Sequence, residues 1–144
     1  MLKLGVMAAV AFSAVAFAQE LPTGDGAWVL RVVSRGGMTG IGRGNFTISS
    51  DAQLTCSRPG CAPTLSEARV RQIGEMIARI EAAAWLTQPK STCSDCFETV
   101  LTVHRREGQN IRVYVAQWDD SQRVSSQIRN VSETVFGLGA AAVR

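Results

Sequence analysis

Residues 36–44 read Gly36-Gly37-Met38-Thr39-Gly40-Ile41-Gly42-Arg43-Gly44, and five of these nine positions are glycine. The apolar run Trp28–Val33 precedes this stretch, and the strand-like segment Asn45–Ser49 follows it. Because glycine loses more conformational freedom on folding than any other residue, such a cluster indicates one of two things. It is either a wide turn that uses positive φ angles or a backbone that approaches a ligand or partner closely. The sequence therefore predicts a connection between two strands and leaves both interpretations open.

The same stretch fails the two glycine-rich phosphate motifs. Gly37 and Gly42 have the spacing of a P-loop, but Arg43 and Gly44 stand where the motif needs a lysine and a hydroxyl residue. A dinucleotide-binding fingerprint opens a helix, whereas a strand is predicted after these glycines. We therefore exclude a phosphate cradle and predict no cofactor.

The chain of 144 residues begins with a segment typical of an export signal. Lys3 supplies a positive charge, residues 4–18 are largely apolar, and Ala16-Phe17-Ala18 fits the small-x-small cleavage rule. We expect cleavage after Ala18 and a secreted or periplasmic mature chain. The predicted organisation is a signal peptide over 1–18, a flexible leader over 19–26, a single domain over 27–138 and a frayed tail over 139–144.

The charge balance argues against nucleic acid as a partner. The chain has 15 basic and 12 acidic residues, and removal of Lys3 with the signal peptide leaves 14 against 12. The basic residues are also scattered among acidic ones, whereas nucleic-acid-binding domains concentrate them on one face. No second apolar span follows, so we expect no membrane insertion after signal cleavage.

The four cysteines form two local pairs in the sequence. An even number of cysteines in an exported chain predicts disulfides, although three connectivities are possible. We favour Cys56–Cys61 and Cys93–Cys96, because the Ser57–Gly60 segment is a natural turn. A zinc ribbon is disfavoured because a whole helix separates the pairs, and a thioredoxin-like redox site is disfavoured because the second pair precedes a strand.

Alternating apolar residues and turn signals predict the strands, which we place at 27–35, 45–50, 53–56, 97–105 and 111–118. Thr64 and Glu67 form a capping box for a helix that continues to Trp85. A second helix is expected from Gln122 to Phe136, and the Asp119-Asp120-Ser121 segment supplies candidates for its N-cap. The predicted fold class is α+β, an antiparallel sheet of four to five strands with two helices on one face, in the order β-β-β-α-β-β-α.

Residues suited to catalysis are few. His104 is the one histidine, it lies on the polar side of its predicted strand, and nothing nearby resembles a nucleophile elbow. The adjacent carboxylates Asp119 and Asp120 are typical of helix caps and do not predict a pair facing each other across a cleft. We therefore predict that the protein is not an enzyme.

The run Leu30–Ile41 resembles the opening of emfourin-like proteins, in which a strand ends in Arg or Ser and a Gly-Gly-apolar segment with a further glycine follows. The resemblance continues through a hairpin turn at Asp51, a helix opened by Leu65-Ser66-Glu67, and an Asp-x-aromatic step at Asp95 and Phe97. It covers roughly residues 28–138. The export signal and the four cysteines depart from the family pattern.

Emfourin is a protein inhibitor of thermolysin-like zinc metallopeptidases, so the resemblance implies a small inhibitor or an inhibitor-like binding module. The expected partner is an extracellular or periplasmic metallopeptidase. The alternative is a non-inhibitory envelope or secreted binding module in which the glycines are plain architecture. The expected binding residues are those of the glycine-rich stretch: Gly36, Gly37, Met38, Thr39, Gly40 and Ile41.

Overall fold

The structure is a computed structural model that describes residues 21–40, 42–57 and 61–141, apart from the side chains of residues 140 and 141. The expected signal peptide and its cleavage site, the start of the leader, Ile41, most of the turn between the first two cysteines and the last three residues lie outside the described residues. The elements in chain order are β1 (Trp28–Gly36), β2 (Gly44–Ser49), β3 (Leu54–Cys56), α1 (Glu67–Ala78), a 3₁₀ helix (Ala82–Ala84), β4 (Phe97–Glu107), β5 (Asn110–Asp119) and α2 (Ser126–Ala141).

The five strands form one antiparallel sheet in the order β3-β2-β1-β4-β5. β1 is the central strand, and Leu30 pairs with Ile48 on one side and with Val103 on the other. The predicted fold class and element order are confirmed. A central strand that is buried on its helix-facing side explains why the sequence around Trp28–Val33 is so apolar.

Both helices cover one face of the sheet and enclose a hydrophobic core. Leu30, Ile48 and Val103 are fully buried on the sheet side, and Ile73 and Ile128 are buried on the helices. Burial of one such side chain is worth about 1.5–3 kcal/mol relative to full exposure. The alternation of Phe46 and Ile48 against Thr47 and Ser49 in β2 follows the same division between core and surface.

Helix α1 is shorter than predicted and has a different cap. Ser66, rather than Thr64, is the N-cap, and its hydroxyl accepts the backbone N–H of Arg69 at 3.2 Å. Thr64 instead forms a β-bridge with Gln53 beside β3. The predicted continuation to Trp85 is wrong.

The early end of α1 has a cause in α2. The side-chain amide of Gln127 donates to the Arg79 carbonyl at 2.8 Å, and its oxygen accepts the Glu81 N–H at 3.1 Å. Backbone groups that a longer helix would have paired internally are thus satisfied by a side chain from the neighbouring helix.

Helix α2 begins later and ends later than predicted. Ser125 is positioned as its cap, because its hydroxyl accepts the Ile128 N–H at 3.2 Å. Asp119 caps the preceding turn instead, with its Oδ1 accepting the Ser121 N–H at 2.8 Å. The helix continues to Ala141, so the first residues of the expected frayed tail are helical.

The described part of the expected leader is bound to the end of β4. The Arg106 guanidinium donates to the Pro22 carbonyl at 2.7 Å, and the Gly26 N–H donates to the Arg106 carbonyl at 3.0 Å. Asp25 accepts the N–H of Gly108 in the β4–β5 turn at 2.9 Å. Pro22, Asp25 and Gly26 of the expected leader are thus hydrogen-bonded to the β4–β5 hairpin.

Strand β5 turns its most apolar side away from the helices. Ala116 and Trp118 face the core, because they pair with the core-facing residues Leu101 and Thr99 of β4. Ile111, Val113 and Val115 share one face, as predicted, but it is the face that the helices leave open, and Val113 is 54% exposed.

Candidate functional site

The connection between β1 and β2, here called the glycine loop (residues 37–43), has a backbone that only glycine adopts readily. Five glycines in and beside it have positive φ angles: Gly36 (81°), Gly37 (75°), Gly40 (70°), Gly42 (74°) and Gly44 (105°). A side chain in this left-handed region costs about 1–2 kcal/mol per residue. The glycine cluster is thus explained first by the path of the backbone.

Backbone hydrogen bonds hold the glycine loop in place. The Gly37 N–H donates to the Cys96 carbonyl at 3.1 Å, which joins the loop to the start of β4. Within the loop, Gly40 donates to Gly37 at 3.1 Å and Gly42 donates to Gly36 at 2.9 Å. These contacts fix both ends of the loop and its internal turn.

Neighbouring groups also approach three of these glycines too closely for a side chain. A Cβ atom on Gly36 would lie 2.7 Å from the carbonyl oxygen of Cys96. A Cβ atom on Gly37 would collide with the ring of Phe97, and one on Gly42 would collide with the carbonyl of Ser34. Gly40, at the outer part of the loop, has open space around it. The base of the loop is therefore tightly packed, whereas its outer part faces solvent.

Arg43 ties the end of the glycine loop to α2. Its guanidinium forms a two-pronged ion pair with Glu133, at 2.7 and 2.9 Å, and lies 4.1 Å above the ring centre of Phe136. The hydrogen bonds from Arg43 lower the pKa of Glu133, and the same contact raises the pKa of Arg43. The backbone N–H of Arg43 donates to the Ser34 hydroxyl at 2.9 Å.

Met38 projects from this fixed loop into solvent. It is 92% exposed, whereas the other strongly exposed large apolar residues among those described, Leu21, Leu86 and Val113, are each close to 55%. Methionine has a flexible, polarisable side chain that adapts to irregular apolar surfaces, which is why it is frequent at binding surfaces. Met38 is therefore the candidate contact residue in the described part of the glycine loop.

Both predicted disulfides are present, and no described cysteine is free. Cys56–Cys61 joins the end of β3 to the segment before α1, with its Cα atoms 6.2 Å apart. Cys93–Cys96 closes the tight turn before β4, with its Cα atoms 5.6 Å apart. Because the Cys96 carbonyl accepts the Gly37 N–H, the second disulfide supports the glycine loop directly.

A shallow cleft of about 140 Å³ lies beside the base of the glycine loop. Its walls carry charges of both signs from Arg35, Lys90, Glu98 and Asp119. The Cys93–Cys96 turn forms part of the rim. The mixed charge and small volume suit a contact with a polar segment of a partner better than a pocket for a whole small molecule.

Asp119 in this cleft is committed to structural hydrogen bonds. Its carboxylate accepts the hydroxyls of Ser121 and Ser91 and the backbone N–H of Ser121. These hydrogen bonds, led by that from the Ser121 hydroxyl, lower the pKa of Asp119. Asp120 accepts the Phe97 N–H at 3.1 Å. The two carboxylates therefore connect loops at this end of the sheet.

His104 lies away from this end, on the open face of the sheet. Its register partners are Val29 and Val113, and no described serine, cysteine or carboxylate donates to or accepts from its ring. Within the described ranges, no group of three or more His, Cys, Asp or Glu side chains is arranged to hold a metal ion. None of the helices in those ranges is long and apolar enough to cross a membrane.

The structure places the described members of the predicted site together. Gly36, Gly37, Met38, Thr39 and Gly40 form one continuous feature at the end of the sheet, and Ile41 is outside the described residues. The residues that anchor the loop were not predicted from the sequence. The inward orientation of Ser34 could have been predicted, because Ser34 continues the alternation of core-facing residues Trp28, Leu30 and Val32. The ion pair of Arg43 could not, because its partner Glu133 is 90 positions away.

Comparisons of this chain with protein-family models, with curated proteins and with solved structures each gave no match.

Proposed function

We propose that this protein is an exported binding module that presents Met38 on the glycine loop to a partner protein, and that the partner is an extracellular or periplasmic metallopeptidase that it inhibits. The observation that carries the proposal is the 92% exposure of Met38 on a loop fixed at both ends. The resemblance to emfourin-like proteins supplies the class of partner.

Rigidity is what makes such a loop useful in binding. A loop that must become ordered on binding loses affinity, because each immobilised group costs free energy. Here the loop is ordered in advance by its own hydrogen bonds, by the Cys93–Cys96 turn and by the Arg43–Glu133 ion pair. An apolar side chain presented in this way complements a concave, mostly apolar pocket such as those that line peptidase clefts.

Export is part of the proposal and has two supports. The N-terminal sequence has the charge, apolar run and cleavage pattern of a signal peptide. The two disulfides are compatible with an oxidising compartment, where such bonds persist.

The direct test is a titration of the purified, disulfide-bonded protein against a thermolysin-like metallopeptidase, with turnover of a peptide substrate as the readout. We expect turnover to fall in a saturable manner at micromolar inhibitor or below. The same titration with a serine peptidase is the control for nonspecific effects. Unchanged metallopeptidase turnover throughout the micromolar range would contradict the inhibitory function.

A second candidate function is a non-inhibitory secreted or envelope binding module. It is favoured by the packing at Gly37 and Gly42, because these glycines are required by their neighbours whether or not the loop meets a partner. Met38 discriminates the two functions, since no packing requirement accounts for its exposure. Affinity capture with wild-type bait and with a Met38→Asp bait identifies partners that depend on the loop.

A further inference from the structure

The two edges of the sheet are protected unequally. β3 is a strand of three residues, and the segment before α1 lies along its outer side. The Leu54 N–H donates to the Pro63 carbonyl at 2.9 Å, and Gln53 forms an antiparallel bridge with Thr64. This edge is short and covered, which is a common protection against pairing with other chains.

β5, the other edge, is ten residues long and is covered at one point. The Gln117 N–H donates to the Leu86 carbonyl, and the Gln117 carbonyl accepts the Gln88 N–H, each at 2.8 Å. The segment containing Leu86 and Gln88 runs parallel to β5 there and no further. Residues 110–116 extend beyond this cover.

The contacts of Gln117 show which residues of β5 point their backbone N–H and C=O groups outward. Backbone groups alternate along a strand, so residues of the same parity as Gln117 point their N–H and C=O groups away from β4. These residues are Ile111, Val113 and Val115. Within the described part of the chain, none of the three has a backbone partner on that side.

The side chains of this edge do nothing to prevent pairing. Ile111, Val113 and Val115 are β-branched and apolar, and Val113 is 54% exposed. Residues 110–116 contain neither proline nor glycine, and their pairing with β4 is continuous, without a bulge. The one charged residue among them, Arg112, is paired with Glu107 at 2.8 Å. Sheet proteins usually place free charges, prolines or bulges at an edge of this kind.

We propose that β5 pairs antiparallel with β5 of a second copy of this chain, about a two-fold axis at Val113. In this register Val113 lies opposite Val113 of the second copy, and Ile111 lies opposite Val115. All three residues then form hydrogen-bonded pairs, because their N–H and C=O groups already point outward. The paired segment ends at residue 116, just before the cover at Gln117.

Charge and shape favour a second copy over an unrelated peptide. Arg112 is the one charged residue along residues 110–116 and is ion-paired with Glu107, so a charged peptide has few charges to complement there. A second copy instead places Arg112 opposite Tyr114 on the helix side, a cation–aromatic contact that forms twice by symmetry. Tyr114 is held in place by the ring of Trp85, whose centre is 5.4 Å away.

The small area of the β5–β5 interface limits the affinity of the dimer. One strand pair of this length buries less than the ~1,200 Å² of a stable, specific interface, so we expect a weak dimer whose population rises with concentration. The antiparallel arrangement places the two glycine loops at opposite ends of the joined sheet. Dimerisation therefore leaves Met38 of each copy accessible, and the inference stands independently of the proposed function.

The first test is sedimentation velocity of the disulfide-bonded protein from micromolar concentration to about 1 mM, a range that covers weak association. We expect a reversible monomer–dimer equilibrium for the wild type and a monomer for Val113→Lys. Thr102→Lys is the matched control, because Thr102 lies on the same open face but one strand inward, opposite Val115. Dimerisation of Val113→Lys, or its loss in Thr102→Lys, would overturn edge pairing in favour of another surface.

The second test uses the wild type alone and needs no variant to fold. Amide hydrogen exchange at Ile111, Val113 and Val115 is expected to slow as protein concentration rises, whereas Arg112 and Tyr114 stay protected at every concentration. A wild type that remains monomeric up to about 1 mM overturns the proposal. So does protection of the three outward amides that is independent of concentration, because the chain would then cover its own edge.

Discussion

At the scale of single residues, the glycine loop is determined by space and by φ rather than by flexibility. Gly37 and Gly40 both have positive φ angles, but only Gly37 has a neighbour, Phe97, where a Cβ would lie. Substitutions at these two positions therefore distinguish the free-energy cost of a positive φ angle from the cost of a steric clash.

We predict that Gly40→Ala lowers the free energy of unfolding by about 1 kcal/mol, the cost of a left-handed alanine. Gly37→Ala is expected to lower it by about 2–4 kcal/mol, because overpacking against Phe97 adds to that cost. Urea unfolding of both variants measures the difference. Equal losses would mean that the base of the loop is not tightly packed.

The carboxylates that fasten this end of the molecule predict its acid sensitivity. Hydrogen bonds lower the pKa of both Asp119 and Glu133 in the folded protein. A carboxylate whose pKa is depressed by folding stabilises the protein above its unfolded pKa, near 4, and that stabilisation is lost as the pH falls through the folded value.

We therefore expect the free energy of unfolding to decline as the pH falls below about 4, and the decline to be shallower in Asp119→Asn. Urea unfolding at several pH values measures both slopes. Ser121→Ala is the companion variant, since it removes the largest contribution to the shift and leaves the carboxylate in place. A slope unchanged in both variants contradicts the assigned role of Asp119.

The Arg43–Glu133 pair belongs to the same scale but is partly exposed, with side-chain accessibilities of 37% and 51%. Solvent screening limits such pairs, so Glu133→Gln is expected to cost only about 0.5–1 kcal/mol at moderate salt. The loss should shrink at high salt. A larger, salt-independent loss measured by urea unfolding would show that packing of Arg43 on Phe136 dominates.

At the scale of elements, two glycines within α2 differ in their surroundings. Gly139 faces the Phe46 ring, and a Cβ there would lie 2.8 Å from the Cζ atom, whereas Gly137 is exposed with open space around it. One glycine permits helix–sheet packing, and the other has no packing role.

We predict that Gly137→Ala raises the free energy of unfolding by about 0.5–1 kcal/mol through helix propensity. Gly139→Ala should instead lower it, because the ring of Phe46 must move in a packed core. Thermal unfolding of the two variants provides the comparison. Stabilisation by Gly139→Ala would show that α2 does not pack on β2 as described.

The element order was predictable because each strand carries an alternating pattern and each hairpin a turn signal. The alternation in β2 and the long apolar run of β1 were enough to predict that both segments are strands of a sheet. The helix limits were not predictable, since the end of α1 depends on Gln127 of α2. The face of β5 that packs on the core could not be predicted either. Ile111, Val113 and Val115 are more apolar than the residues that face the core.

The candidate site was predictable in position but not in mechanism. Five glycines in nine residues located the loop, and local spacing gave both disulfides. The contacts that make the loop rigid join residues far apart in sequence, such as Gly37 with Cys96 and Arg43 with Glu133. Such pairs leave no local signal in a single sequence, so rigidity became visible only in the fold.

At the scale of the whole molecule, the candidate binding site and the proposed dimer edge lie in different places. The glycine loop, the Cys93–Cys96 turn and the charged cleft share one end of the sheet, and the described leader is bound at the other. The unprotected edge of β5 lies along the side. The proposed contact surface at the loop end and the proposed dimer edge along β5 therefore do not overlap.

Under the proposed function, Met38 on the glycine loop is the contact that a partner recognises. Its most direct test is titration calorimetry of a thermolysin-like metallopeptidase with the wild type, with Met38→Asp and with Leu21→Asp, which alters an exposed apolar residue at the opposite end of the sheet. We predict binding of the wild type and of Leu21→Asp with equal affinity, and a loss of at least about tenfold for Met38→Asp, the loss typical of a central contact residue. Equal affinities for all three proteins would show that Met38 is not the contact, and no binding by the wild type would show that the metallopeptidase is not the partner.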